Sequence, residues 1–393
     1  MKKILFIYPE MMMGGSTTSL VNLLNEFNYE KYEVDIAFRK KRGILLKHIP
    51  SQINVLPQLD KYGDNFFSKL IKVFILIFSI KFYISLFYKY IKHDETAYNQ
   101  LAAYNQVLFC KKIKKEYDVV IGFLEGFSNI YANSRKVKAK KRINWIHIDY
   151  QKAGFNIKYD YSYLKKADKI VFVSEICKEH FREVANVFSD KLCVIENIIS
   201  YKLIKNREKE YTVSNDLLKE FNGLKLLTVC RLTTNTKGLD RILNISKSLY
   251  ENGYKFKWCI IGGNPDTEFK KIYNYFPYKD NVVLLGEMSN PFPYFEYFDI
   301  FVLSSRFEGK PMVVTEALML NLPVICAEYS SASGQIISGK EGLIVENDEK
   351  ALKNAIESVL INKSIIEGWK SNLINKIYSF DYIISSLEEL LDN

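Results

Sequence analysis

Short, densely apolar runs alternate along the chain with longer stretches in which apolar residues recur every three or four positions. The runs ILFIY (4–8), YEVDIAF (32–38), INVL (53–56), DVVIGF (118–123), INWIH (143–147), KIVFVS (169–174) and LCVIE (192–196) predict strands, most of them separated by helical stretches. Alternation of this kind predicts βαβ units and a parallel sheet. Between Asn197 and Asn222 the pattern lapses into polar and charged residues, which reads as a linker. It restarts with LKLLTVC (224–230), KWCIIGG (257–263), NVVLLG (281–286), DIFVLSS (299–305), LPVICA (322–327) and GLIVE (342–346). With 393 residues, the chain also exceeds the ~250–300 that one core usually serves. The expectation is an α/β protein with two Rossmann-like domains, 1–200 and 201–378, facing a central cleft. Ligands of such sheets bind at the C-terminal ends of the strands. Asp381–Leu391 is amphipathic, so 379–393 is expected to form a C-terminal helix that packs back towards the N-terminal domain.

The stretch from Phe66 to Lys92 breaks the alternation. Its longest uncharged run, Val73–Ile80, is too short for the ~18–20 residues of a bilayer span. At about 100° per residue, Lys81, Ser85, Lys89 and Lys92 fall on one polar stripe, and the rest is Ile, Leu, Phe and Tyr. A basic, aromatic, amphipathic helix over about 66–92 suits a membrane surface. The alternative is a helix buried against the N-terminal sheet.

Composition is that of a globular protein, 48% hydrophobic and 25% charged. Charge is uneven: of the net +10, residues 1–200 carry +12 and the remainder −2. A basic half suits anionic lipid head groups, diphosphates or nucleic acid. The six cysteines are scattered, with no CxxC pair, so reduced thiols and a cytosolic compartment are expected and metal ligation is not. The opening MKKILFIYPEMMMGGSTT mimics a signal peptide, but its apolar run is short and ends in Pro and Gly-Gly. It reads as a first strand.

Four places carry candidate chemistry. In SSRFEGKPMVVTEALMLNLPVI (304–325), Glu308 lies in a turn and Glu316 inside an otherwise apolar helix. A helix beginning near Pro311 offers free N–H groups to an anion. Glu316, further along, reads as a hydrogen-bond acceptor for neutral hydroxyls such as a ribose diol, and Glu308 as one for a sugar. In CRLTTNTKGLDRIL (230–243), Arg231 and Lys237 flank a strand–loop–helix junction, where two cations can clamp a diphosphate. In MMMGGSTTSL (11–20), Gly14 and Gly15 let a ligand approach a helix start. His147 ends a strand on the edge where ligands bind. The sequence holds no GxxxxGK[ST], GxSxG, HExxH or Asp-x-Asp, and the glycine loop is not the dinucleotide fingerprint GxGxxG.

Together, RLTTNTKGLDRIL, CIIGGNPD, VVLLGEMSNPFPYFEYFDIFVLSSRFEGKPMVVTEALMLNLPVICA and GLIVEND resemble the retaining glycosyltransferases of family 4, which have the GT-B fold. The match is strongest over about 224–345 and includes the family's two glutamates with seven residues between them. NPFPYF resembles the branch that builds bacterial surface polysaccharides. The resemblance implies that Arg231 and Lys237 neutralise the donor diphosphate, Glu316 holds the ribose and Glu308 contacts the donor sugar. It implies that the amides of Met312 and Val313 face the donor, that Gly14 and Gly15 lie near the phosphates and acceptor, and that His147 contacts the donor sugar. Lys310 after Gly309, and SSASGQII (330–337), depart from the family pattern.

The implied reaction moves a sugar from a nucleotide-sugar, most simply a UDP-sugar, to a lipid-linked saccharide, with retention and with no metal or other cofactor. Front-face attack, with the leaving phosphate taking the acceptor's proton, is the expected route, and a covalent Glu308 the competing one. The expected partners are the donor, the lipid-linked acceptor in capsule or O-antigen synthesis, and the cytoplasmic membrane surface, but not nucleic acid. The expected location is cytoplasmic, peripheral to the inner membrane face. Alternative readings are another GT-B activity (protein or teichoic-acid glycosylation, nucleotide-sugar epimerisation), a catalytically dead scaffold, and a dinucleotide oxidoreductase.

Overall fold

The computed structural model describes residues 1–61, 80–90, 92–214, 220–308, 310–329, 331–374, 376 and 378–393. The chain divides into two compact units, Met1–Ile198 with Phe380–Asn393, and Ile199–Ser379.

Among the described residues, the first unit holds β1 (Lys2–Tyr8), β2 (Tyr32–Phe38), β3 (Asn54–Val55), β4 (Glu116–Gly122), β5 (Lys138–Ile146), β6 (Lys169–Phe172) and β7 (Leu192–Val194). They form one parallel sheet in the order β3-β2-β1-β4-β5-β6-β7. Ile4, Leu5, Phe6 and Ile7 are all fully buried, the mark of a strand covered on both faces. The second unit holds β8 (Leu224–Val229), β9 (Phe256–Ile261), β10 (Val282–Gly286), β11 (Ile300–Leu303), β12 (Val324–Ala327) and β13 (Gly342–Val345), in the order β10-β9-β8-β11-β12-β13. Its core includes Trp258, whose indole N–H donates to Thr228 Oγ1 at 3.0 Å, so the buried donor is satisfied. All thirteen runs read as strands form strands, with ends that differ by a few residues.

Three segments differ from, or go beyond, the sequence pattern. The stretch read as linker contains a helix, Tyr201–Glu208, capped by the Ser200 hydroxyl on the Leu203 amide at 3.1 Å. The C-terminal helix, Asp381–Asp392, belongs to the first unit. It buries Ile383, Leu387 and Leu391, one stripe at four-residue spacing. Lysines meet its end: Lys2 donates to the Leu391 and Asp392 carbonyls at 2.9 and 3.0 Å, and Lys141 to that of Leu390. They satisfy carbonyls that the helix leaves free and oppose its negative end.

Of the Phe66–Lys92 stretch, residues 66–79 and 91 lie outside the described residues. Ile80–Tyr90 is helical. The Lys81–Ser85 part of the polar stripe faces inward, and Lys89 and Lys92 are exposed. Lys81 Nζ lies 3.1 Å from the Tyr104 ring centre and Lys89 Nζ 4.8 Å from that of Tyr98, both on the helix Glu95–Leu108. Ser85 is buried and donates to the Phe82 carbonyl at 2.7 Å. Tyr83, Ile84 and Phe87 stay exposed. The tyrosine rings opposite explain the inversion, because they offer the ammonium groups cation–π partners. Among the described residues no helix is long and apolar enough to cross a membrane.

Candidate active site

In both sheets the strand order reverses beside the first strand, between β1 and β4 and between β8 and β11. Such switch points, at the C-terminal strand ends, are where open parallel sheets bind ligands.

At the second unit's switch point, β8 runs into a loop and a short helical turn, Thr234–Lys237, that ends at Gly238. Gly238 has φ +64°, and a Cβ there would lie 2.2 Å from the Ser304 carbonyl oxygen, so only glycine lets the turn lie on β11. Lys237 Nζ then reaches Glu308 Oε1 at 2.6 Å. The Ser305 hydroxyl donates to the same oxygen at 2.7 Å, and Ser304 Oγ donates to the Lys237 carbonyl at 2.8 Å. Arg306 braces the turn through both Asp240 oxygens, at 2.8 and 2.5 Å, and Asp266 accepts from the Thr234 amide at 2.7 Å. Arg231 is exposed on the same loop, with no side-chain partner among the described residues.

After β11, the helix Met312–Met319 begins with Pro311 at the N-cap, in agreement with a helix that starts near Pro311. No side chain caps this end, so the Met312 and Val313 amides are free of a capping partner. Gln335, in the loop that departs from the family pattern, donates to the Pro311 carbonyl at 3.1 Å and to Thr315 Oγ1 at 2.9 Å, fixing the helix start. Glu316 is 8% exposed and has no hydrogen-bond partner among the described residues. Burial pushes its carboxyl up to about 7, against the pull of the Arg207 guanidinium. Arg207 is itself buried and donates to the Ser289 carbonyl at 2.5 Å. The sequence reading passed over Arg207, which stands in the segment taken as linker.

The first unit's switch point is built from mostly neutral groups. Gly14 and Gly15 open the helix Gly15–Asn25, and a Cβ at Gly15 would meet nothing. The Tyr8 hydroxyl, at the end of β1, lies 2.8 Å from Ser16 Oγ and 3.1 Å from Thr17 Oγ1. His147 follows β5 and packs against Phe123 and Trp145. Its ring bonds to the Phe123 backbone, and Nε2 is buried without a partner among the described residues. Burial lowers its pKa to about 3, so the ring stays neutral and Nε2 is an acceptor only. Glu125, unmarked by the sequence reading, accepts the His147 amide at 3.0 Å, and burial raises its pKa. Thus Lys237 and Glu308 touch, Arg231, Met312, Val313 and Glu316 share their unit, and Gly14, Gly15 and His147 share the other. Among the described residues no three His, Cys, Asp or Glu side chains gather as a metal site would require.

Residues 213–376 match the family described as "Glycosyl transferases group 1". Over 134 residues the chain is 29% identical to the capsular polysaccharide biosynthesis glycosyltransferase CapM of Staphylococcus aureus, covering 33% of this chain and 35% of that protein. Over 107 residues it is 27% identical to a Campylobacter jejuni N-acetylgalactosamine-N,N'-diacetylbacillosaminyl-diphospho-undecaprenol 4-alpha-N-acetylgalactosaminyltransferase, covering 27% of this chain and 29% of the relative. The chain thus spans about a third of each relative's length. The whole chain superposes on Anabaena Alr3699/HepE, solved in complex with UDP and glucose, with a TM-score of 0.66, 14% identity and full coverage of both chains. The fold is GT-B.

Proposed function

We propose, from the family match over 213–376, that the protein is a retaining hexosyltransferase that moves a sugar from a UDP-sugar to a lipid-linked saccharide in bacterial surface-polysaccharide synthesis. The observation that carries this reading is the pairing of Lys237 with Glu308 in a unit that also holds Glu316, a buried glutamate with no hydrogen-bond partner among the described residues. Breaking the glycosyl–phosphate bond leaves negative charge on the diphosphate and positive charge on the anomeric carbon. Lys237, Arg231 and the amides of Met312 and Val313 are donors for the diphosphate, and a donor of this kind is worth about 10²–10³-fold in rate. Glu308, held by Lys237 and Ser305, positions the sugar, and Glu316 accepts the ribose hydroxyls. This cation set neutralises the leaving group without a metal. Retention follows from front-face attack.

The acceptor is proposed to be lipid-linked because the Campylobacter relative is named for an undecaprenol-linked one. The exposed Tyr83, Ile84 and Phe87 on a unit rich in lysine support contact with the anionic inner face of the cell membrane.

Calorimetric titration with UDP, GDP, ADP and NAD tests the donor site. UDP is expected to bind without added metal, and Arg231→Ala and Glu316→Ala to abolish binding. Binding of NAD, or of no nucleotide, overturns the reading.

A further inference from the structure

A buried carboxylate is costly unless a cation or hydrogen-bond donors offset the loss of water. Glu316 has no hydrogen-bond partner among the described residues, and Lys237 is bonded to Glu308 instead. The charged group that acts on Glu316 among the described residues is the Arg207 guanidinium. Both residues belong to the second unit.

Arg207 is fixed at both ends. The helix Tyr201–Glu208 carries it, and the turn Phe292–Phe295 packs on that helix. Its guanidinium lies 4.8 Å from the Phe292 ring centre and donates from Nη2 to the Ser289 carbonyl at 2.5 Å. Its own carbonyl accepts from Asn290 Nδ2 at 2.7 Å. Yet Nε is buried without a partner among the described residues. A buried arginine that served packing alone would have that donor satisfied.

Two further titratable groups face Arg207. Glu210 acts on it and accepts from Asn290 Nδ2 at 3.0 Å. The Tyr211 hydroxyl donates to the Asn290 carbonyl at 2.6 Å, and partial burial raises its pKa, so it is neutral. Burial lowers the Arg207 pKa while Glu210 and Glu316 oppose that, and a guanidinium keeps its charge at any ordinary pH. Arg207 is thus a permanent charge shared by two carboxyls, one on its own segment and one on the helix Met312–Met319.

A ribose diol offers two O–H donors. An ionised carboxylate accepts both, one on each oxygen, whereas a protonated one has turned one oxygen into a donor. We propose that Arg207 is a positioning residue of the nucleotide site, whose charge holds Glu316 as the carboxylate that accepts both ribose hydroxyls. This rests on the transferase reading. The segment before β8 then tunes nucleotide affinity through Glu316.

Calorimetry on the full chain compares UDP with 2′-deoxy-UDP, which shares the diphosphate and lacks one hydroxyl. The ratio of the two affinities cancels the titration of the phosphates. It should rise about tenfold between about pH 5 and pH 9, with a midpoint near the value of about 7 to which burial brings Glu316. Arg207→Gln should move that midpoint up by about one unit or more, and Arg207→Lys should leave it near wild type. Glu210→Gln, which leaves more of the Arg207 charge to Glu316, should move it down; if Arg207→Gln fails to fold by circular dichroism, this variant decides. A ratio that does not depend on pH, midpoints that stay in place, or a loss equal for both nucleotides at every pH overturns the proposal and leaves Arg207 a packing residue. A wild-type protein that binds no UDP removes the transferase reading itself, and this proposal with it.

Discussion

At the switch point of the second unit the side chains are ionic and matched: Lys237 on Glu308, Arg306 on Asp240. At the same topological position in the first unit, one ionic cluster, Glu10 with Arg39 and Arg42, stands beside hydroxyls, a neutral imidazole and open backbone: Tyr8, Ser16, Thr17, His147 and the Gly14–Gly15 turn. The strand order is the same where the two sheets turn, so the fold does not set this difference. Charge at a strand end suits a ligand that carries charge through the reaction. Neutral acceptors and donors suit hydroxyls, whose recognition rests on direction more than on field. The lysines of the first unit lie elsewhere, several of them on the end of the C-terminal helix.

The largest effect expected from this contrast comes from its two glycine turns. Gly238→Ala places a Cβ on the Ser304 carbonyl oxygen at a left-handed φ, and should cost about 3 kcal/mol or more. Gly15→Ala meets nothing and should stay within about 0.5 kcal/mol of wild type. Denaturant unfolding of both variants checks this. Equal losses would mean that the first turn is as tightly packed as the second.

The next effect separates the two carboxylates of the second unit. Folding raises Glu316 from 4.5 to about 7, so the folded chain holds a proton that the unfolded chain releases. The stability tied to that proton is present below about pH 4.5 and is lost as pH rises through 7. Glu316→Gln should therefore be more stable than wild type at pH 8, by roughly 3 kcal/mol for a shift of about 2.5 units at about 1.36 kcal/mol each, with the gap closing near pH 5. Thermal unfolding across pH measures it. A constant gap would place the buried charge elsewhere.

The smallest effect concerns the exposed face of Ile80–Tyr90 in the first unit. Phe87→Ser should lower affinity for vesicles containing phosphatidylglycerol about three- to tenfold in a flotation assay, with little change in UDP binding. Unchanged flotation would show that this face does not meet lipid.

The strands were legible because a sheet covered on both faces needs unbroken apolar runs, as in Ile4–Ile7. Glu316 was legible because a carboxylate among Val313, Val314, Ala317 and Leu318 asks for a reason. Periodicity also located the stripe of Lys81, Ser85 and Lys89. It did not say which side faces inward, because that depends on Tyr98 and Tyr104 in another helix. A contact between Asp149 Oδ2 and His180 Nδ1, 2.7 Å apart, was hidden for a related reason: its members stand 31 positions apart, and pairing of β5 with β6 brings them together. Arg207 lay in a segment too polar to read as helix, although Ser200 was a usable cap signal.

The return of residues 380–393 to the first unit sets an order of assembly. On the ribosome, residues 199–379 emerge as one contiguous unit and have every strand of their sheet before the last helix appears. The first unit emerges earlier but waits for that helix across the whole intervening unit, with Lys2, Lys31 and Lys141 meanwhile lacking the carbonyls and carboxylates they will meet. During that interval its surface is more basic than in the finished protein. Nascent chains stalled after residue 379 should be the species most prone to bind polyanions or chaperones.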